Sequence, residues 1–354
     1  MENRYKQLKE RLMDEESVCI FDARLEYMNT KDGFRFGKAM LELYGEFQYL
    51  ELDNFLSGRE RNPVLVIFGA GKEGERTLDI LKHTKYKRDI YGFCDNNKKL
   101  TEEATTRYGL PVYSVYDLLT QEKDVVFLIA SQRYSMAFLT QLLNLKVPQK
   151  NIFVAPYHIL FAQRGKQYFD LFEPAEHEVF VDAGAYDGST SRDFLKWCHG
   201  VYDGIYMFEL NSYMKQLCFH NLGNTDHKIH FIEKGCWSED TTLTFVDSQS
   251  SSHILGDVEG GEDSVFAAVC SLDSELKDVV PTFIKMDIEG AEMEALKGAR
   301  GIIENTRPRL AISVYHKPED MVDIMDYILR INPDYKLYLR HYSSCCWETV
   351  LYAL

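Results

Sequence analysis

Short apolar runs recur along this chain, most of them closed by a glycine, an acid or a small polar residue, and helical spacing follows. In the first half they are Val64 to Phe68, Asp89 to Cys94 and Val125 to Ser131. In the second they are Val179 to Val181, Gly204 to Phe208, Ile229 to Glu233, Phe283 to Met286 and Leu310 to Tyr315. Runs that are apolar throughout, rather than alternating, predict strands covered on both faces. ERTLDILKHT and AEMEALKGA, with helical spacing, follow two of them. Strand, acid or glycine, helix, repeated, is the grammar of an α/β fold with two Rossmann-like doubly wound domains.

Ahead of the first run the pattern is helical. Tyr5, Leu8 and Leu12 share one apolar face, and Phe36, Met40, Leu43, Phe47 and Leu50 another, with a break at Asp32-Gly33. This reads as a helical arm over residues 1–60, which either packs on its own chain or pairs two chains into a homodimer. Residues 61–156 form the first sheet domain, 157–174 a linker helix, and 175–354 the second sheet domain. In the linker, Tyr168, Phe169, Leu171 and Phe172 are expected to cover the second sheet or the mouth of its site.

The chemistry gathers at the predicted strand ends, where ligands of such sheets sit. VFVDAGAYDGST places Asp182 at a strand tip, then Gly184, Ala185, Tyr186 and Gly188, then Ser189 and Thr190 at a helix start. Glycines let backbone approach a ligand, and a helix N-terminus offers N–H groups to a carboxylate. Glu209, followed by Leu210, ends the second run, where a carboxylate accepts from ribose hydroxyls. Cys236 and Trp237 follow the third and suit the flanks of an adenine ring. Asp287 and Glu289 follow the fourth, and His316 the fifth.

The front domain has its own loop. Gly69, Gly71 and Gly74 give Gly-x-Gly-x-x-Gly between a strand and a helix, the context this motif requires, and Asp95 falls at the ribose position. A pyrophosphate-bearing ligand, a nucleotide sugar or a dinucleotide, fits the loop; a scaffold that binds nothing is the other reading. No Tyr-x-x-x-Lys pair suits hydride transfer. The GAG loop, the strand ending GFCD and the later Gly109, Leu110, Pro111, Val112 resemble the nucleotide-sugar-binding N-terminal domain of sugar acyltransferases.

VDAGAYDGST, FEL, EKGCW, FIKMDIEGAEMEALKGA and the closing HYSSCCWETVLYAL together resemble the FkbM family of methyltransferases, over residues 178–354. The resemblance implies a class I methyltransferase sheet, S-adenosylmethionine as cofactor, and O-methylation of a small-molecule hydroxyl, often on a sugar. The first loop departs from the commoner family wording at Tyr186 and Asp187.

A hydroxyl acceptor is a weak nucleophile near neutral pH and needs a base within reach. Asp287, His316 and Glu289 are the candidates, with Asp287 alternatively a helix cap for the segment after Gly290. Two residues do not define a metal site, so no metal is expected. His253, in a Ser-rich segment bounded by Gly256, Gly260 and Gly261, suits a lid meeting a sugar, and His341 the acceptor pocket.

A net charge of -15 disfavours binding to a nucleic-acid backbone. No apolar run reaches a membrane span, and the opening MENRYKQLKERLMDEE is charged throughout, unlike a secretory signal. The eight cysteines form no Cys-x-x-Cys pair, which fits reduced thiols in the cytoplasm. A non-catalytic nucleotide- or nucleotide-sugar-binding scaffold or sensor is the alternative; it would show a degenerate cofactor pocket, whereas Asp182, Gly184, Glu209 and Asp287 are all present.

Overall fold

The computed structural model describes residues 2–44, 52, 55–56, 59, 63–82, 85–101, 106–120, 124–131, 133–154, 166–223, 226–248, 251–254, 264–343 and 346–354. The chain divides into two compact units: residues 1–31, 165–341 and 347–354 in one, and residues 32–164 and 342–346 in the other.

The second of these carries β1 (Val64–Phe68), β2 (Ile90–Cys94), β3 (Thr106–Arg107), β4 (Leu110–Tyr113), β5 (Val125–Ile129) and β6 (Ile152–Val154), in the order β3-β4-β2-β1-β5-β6. All neighbours are parallel except β3 with β4. Side chains of β1 alternate between two cores. Leu65 and Ile67 join Leu78, Leu81, Phe93 and Leu128 on one face, and Val66 and Phe68 join Phe127, Ile129 and Leu142 on the other. That is why the run reads as uniformly apolar. The helix Lys72–Lys82 follows β1, with Glu73 and Glu75 in its first turn where the helix dipole favours acids.

The larger unit holds β7 (Val179–Ala183), β8 (Gly204–Phe208), β9 (Ile229–Ile232), β10 (Gly235–Cys236), β11 (Thr241–Ser248), β12 (Ser251–Ile254), β13 (Ser264–Cys270), β14 (Phe283–Met286), β15 (Arg309–Ser313), β16 (Leu337–His341) and β17 (Thr349–Ala353). Seven of them form one sheet, β16-β17-β15-β14-β7-β8-β9, parallel from β15 to β9, with β17 antiparallel to both β15 and β16. A second sheet, β10-β13-β11-β12, was not expected from the pattern. TTLTFVDS, rich in β-branched and apolar residues, forms a hairpin with β12 and pairs on its other edge with SVFAAVC, so β-propensity with cross-strand partners makes a sheet of the segment. His253 therefore lies on β12, opposite Val246, not on a free lid; Gly256, Gly260 and Gly261 lie outside the described residues.

The arm is split between the units. Its first part, helices Glu2–Lys9 and Glu15–Thr30, packs on its own chain at the edge strand β16: the Met13 N–H donates to Leu337 O (3.1 Å), the Leu339 N–H to Ser17 Oγ (2.9 Å), and Arg340 pairs with Asp14 (2.6 Å). An exposed sheet edge is thereby covered. The break at Asp32-Gly33 is where the next helix, Gly33–Tyr44, begins; Phe36 and Met40 are buried in the second unit.

The linker is not a helix in its described part. Residues 167–172 form turns and bends, because Tyr168 adopts a left-handed φ of 72° that a helix cannot continue. Its aromatics nevertheless cover the sheet: Phe169 and Phe172 pack with Phe180, Phe194, Trp197 and Phe283, ring centroids 5.0 to 6.3 Å apart. No described helix is long and apolar enough to cross a membrane.

Candidate active site

β7 ends at Ala183, and the chain must turn under the neighbouring strand end. Gly184 sits at φ 80°, and a Cβ there would stand 2.0 Å from the Asp287 carbonyl oxygen, so only glycine fits. The Gly184 and Ala185 N–H groups donate to Phe208 O, both at 3.0 Å, and Tyr186 N–H to Glu209 Oε2 at 3.0 Å. Gly188, at φ 77°, opens the helix Ser189–Trp197 and provides no side-chain cap. Ser189 N–H donates to Asp187 Oδ1 (2.9 Å); Thr190 is half-buried beside it.

Beneath this loop lies a buried ion pair. Lys285 Nζ, on β14, stands 2.9 Å from Asp182 Oδ1 and donates to the carbonyls of Ala183 (3.2 Å) and Gly184 (2.7 Å). Ser191 Oγ donates to Asp182 Oδ2 at 2.7 Å. Asp182 is fully buried and organises the loop from below. Burial works against the Lys285 charge, but Asp182 and Asp287 outweigh it and hold its pKa above the ordinary value. A chain read residue by residue gives no sign that Lys285, in an apolar run, meets Asp182.

Glu209 accepts one backbone N–H on each oxygen, from Tyr186 and from Asn211 (2.9 Å), and a carboxylate has lone pairs to spare for a ribose. Leu210 is half-buried against Gly235, where a Cβ would meet Leu210 Cδ2 at 2.9 Å. Cys236 is buried on β10, and Trp237, half-buried, donates its N–H to Cys270 O (2.8 Å).

The candidate catalytic residues converge. His316 Nε2 lies 3.6 Å from Asp287 Oδ1 and 3.6 Å from Glu289 Oε2. Its Nδ1 lies 3.0 Å from Oε1 of Glu292, a residue the motif reading passed over. Asp287 is no helix cap. The helix Glu292–Gly298 starts from Ala291 without a side-chain cap, and Asp287 instead accepts the hydroxyls of Tyr168 (3.0 Å, Oδ2) and Tyr315 (3.1 Å, Oδ1). Gln167 Nε2 donates to both Tyr168 Oη (3.1 Å) and Glu348 Oε2 (2.7 Å), extending the network.

Charge states follow from this crowding. Burial opposes the His316 charge, but Glu292, Asp287 and Glu289 overcome it and raise the pKa to about 9. His316 is thus an imidazolium near neutral pH. Burial pushes Asp287 up, yet Lys285 and His316 win and hold it below the usual carboxylate range. Glu348, pushed up by burial and by Asp287, reaches about 7. Burial and Asp287 also drive the Tyr168 and Tyr315 phenols far up, so both stay hydroxyl donors.

Strain marks the same place. Tyr168, Tyr186, Glu289 and Glu348 have φ of 72°, 46°, 56° and 67° without ending a helix, whereas Lys31 and Arg307, at 55° and 49°, are helix C-caps. Left-handed non-glycine residues persist where surrounding structure over-determines them, and they gather at functional sites.

The other candidates lie elsewhere. His341 is fully buried, its Nδ1 2.8 Å from Thr349 Oγ1 in a cross-strand pair, and offers no surface to an acceptor. In the front loop, Gly69 (φ 115°) and Gly74 are held by geometry: a Cβ at Gly74 would stand 1.9 Å from Gly69 O. A Cβ at Gly71 would meet no atom of the described residues within 4 Å. Asp95 accepts Ala70 N–H (2.8 Å, Oδ2) and Asn97 N–H (2.8 Å, Oδ1), so it ties the loop to the turn after β2.

Residues 182–337 match the family described as the methyltransferase FkbM domain. No curated protein matches. Among solved structures, methyltransferase FkbM from Methylobacillus flagellatus shares 23% identity at TM-score 0.48, covering 93% of this chain and 100% of its own. Aeropyrum pernix fibrillarin with natively bound S-adenosyl-L-methionine shares 11% at TM-score 0.32, over 52% of this chain and 71% of its own. A putative methyltransferase from Streptococcus mutans in complex with SAH shares 10% at TM-score 0.30, over 51% and 90%.

Proposed function

We propose that this chain, whose residues 182–337 match the methyltransferase FkbM domain, methylates a hydroxyl of a small molecule, a sugar or glycosylated intermediate, using S-adenosylmethionine. The observation that carries this reading is the convergence of Asp287 and Glu289 on His316, each 3.6 Å from its Nε2, at the end of β14 that packs against the Gly184 turn.

When bound, S-adenosylmethionine supplies a methyl group already activated on a sulfonium, so the protein mainly positions two partners. Loop 184–188 and the start of the helix Ser189–Trp197 would hold the methionine carboxylate. Glu209 would accept from the ribose hydroxyls, and Cys236 and Trp237 would lie at the adenine. Asp287, aimed by Tyr168 and Tyr315, would accept the proton that the acceptor hydroxyl loses. His316, already protonated, orients the carboxylates and does not serve as the base. The free thiols among the described residues agree with a cytoplasmic setting.

Calorimetry with S-adenosylmethionine tests the cofactor. Glu209→Ala is expected to weaken binding by about 1–3 kcal/mol, the size of a lost hydrogen bond to a charged group; equal affinity removes Glu209 from the site. Incubation with a panel of sugars and glycosides tests the acceptor class.

For the front unit, the open space at Gly71 favours a bound pyrophosphate, as in a nucleotide sugar. Gly71→Val is then expected to abolish nucleotide-sugar binding and leave S-adenosylmethionine binding intact. Wild-type protein that binds no nucleotide supports the scaffold reading of this unit.

A further inference from the structure

The recess around Asp287 contains more donor atoms than a single base requires. One donor atom each from Asp287, Glu292 and His316 lie within 4.8 Å of one another. Glu292 is fully buried at the first turn of its helix. Its Oε1 accepts the Ile288 N–H at 2.9 Å and stands 3.0 Å from His316 Nδ1. Its Oε2 has no hydrogen-bond partner among the described residues, and His316 Nδ1 is close to Oε1 without the alignment of a hydrogen bond. Buried polar atoms are paired in folded proteins almost without exception, so an unpaired carboxylate oxygen beside an unaligned imidazole nitrogen calls for a partner that is not protein.

Asp287 completes the set. The two tyrosine hydroxyls fix its carboxylate and leave lone pairs unused, which is how outer groups orient a metal ligand. Atoms bound to one ion at about 2.0–2.2 Å stand about 3–4 Å apart, so this trio needs only slight closure. We propose that Asp287, Glu292 and His316 form a site for a divalent cation of the Mg2+ or Mn2+ class, whose binding displaces the proton that His316 holds in the metal-free protein. Two carboxylates and one imidazole suit such an ion and leave coordination positions open. If the acceptor is a hydroxyl, a role that rests on the function proposed above, the ion lowers its pKa and eases proton loss to the recess. The site itself does not depend on that role.

The test is a titration of the full chain, stripped of metal by chelation, with Mn2+, read by loss of the free-ion electron paramagnetic resonance signal. One Mn2+ per chain is expected, with affinity reduced at least tenfold in Glu292→Gln. That variant preserves shape and one acceptor oxygen for Ile288. Where circular dichroism shows Glu292→Gln unfolded, Asp287→Asn, at the half-exposed side of the recess, carries the same expectation. No uptake by wild-type protein, or equal uptake by a folded variant, overturns the site. S-adenosylmethionine calorimetry on the same metal-free sample reads the cofactor separately, so loss of one reading leaves the other standing.

Discussion

Two glycine loops follow two first strands in this molecule, and they are built differently. At the end of β1, the glycine loop is tied through the Ala70 N–H to Asp95, which also accepts the Asn97 N–H, much as Glu209 accepts those of Tyr186 and Asn211 in the back unit. At the end of β7, the loop rests on a buried lysine, and its neighbours carry four left-handed non-glycine residues and a cluster of carboxylates around His316. Among the described residues of the front unit, the left-handed non-glycine ones are Tyr108, ahead of Gly109 in the turn from β3 to β4, and Lys146, just past a helix. Both loops spell strand, glycine, helix. What separates them is the charge and strain placed beside the loop by distant parts of the chain, and that is where chemistry should be sought.

The largest expected difference is in rate. Asp287→Asn keeps the shape of the network and removes a carboxylate, and kcat is expected to fall about 10²–10⁴-fold with cofactor affinity little changed. A parallel loss of S-adenosylmethionine affinity by calorimetry would move Asp287 from the chemistry to the cofactor. Next is Lys285→Met. Removing one partner of a buried pair strands the other charge, so unfolding in denaturant is expected to show a loss of about 3–5 kcal/mol. A loss under 1 kcal/mol would mean that Lys285 is not what holds the loop.

The strands and both glycine loops were legible because each is written locally, in a run and a spacing. The adjacency of Asp287 and His316 was legible too, since the ends of neighbouring parallel strands must meet. Glu292 was hidden because DIEGAE reads as the start of an ordinary helix, and only β15 brings His316 to it. Tyr168 was hidden by an aromatic stripe with helical spacing, while its left-handed backbone is set by packing: its N–H donates to Tyr352 Oη at 2.9 Å, on the last strand. His341 shows the opposite error, since a histidine next to a terminal motif is a core residue when its strand partner is Thr349.

A pH scan sharpens the comparison further. The folded state raises His316 from 6.5 to about 9, so it binds the proton more tightly than the unfolded chain. The stabilisation is therefore fully present below pH 6.5 and is lost as pH rises through about 9. Its size is on the order of 3 kcal/mol, from 1.36 kcal/mol per unit. Glu348, raised from 4.5 to about 7, adds a contribution that is present below 4.5 and fades by about 7. Denaturant unfolding at pH 6 and pH 9 is expected to show the loss in wild-type protein and a much flatter profile in His316→Gln. An unchanged slope in that variant would assign the pH dependence to other groups.

The smallest effect is the sharpest test of what the front loop is for. Gly184 is forced by its φ of 80° and by the Asp287 carbonyl, so Gly184→Ala is expected to cost about 3 kcal/mol or more. Gly71 is forced by neither: its φ lies outside the left-handed range, and a Cβ there would meet nothing within 4 Å among the described residues. Replacing such a glycine mainly narrows the unfolded ensemble, which stabilises by about 0.4–1 kcal/mol. Gly71→Ala is therefore expected to raise the melting temperature by a few degrees at most, while weakening any ligand that needs close approach of the backbone. A clear loss of stability in Gly71→Ala would show that the front loop, like the back one, is held by its own packing, and the open space at Gly71 would then cease to favour a ligand there.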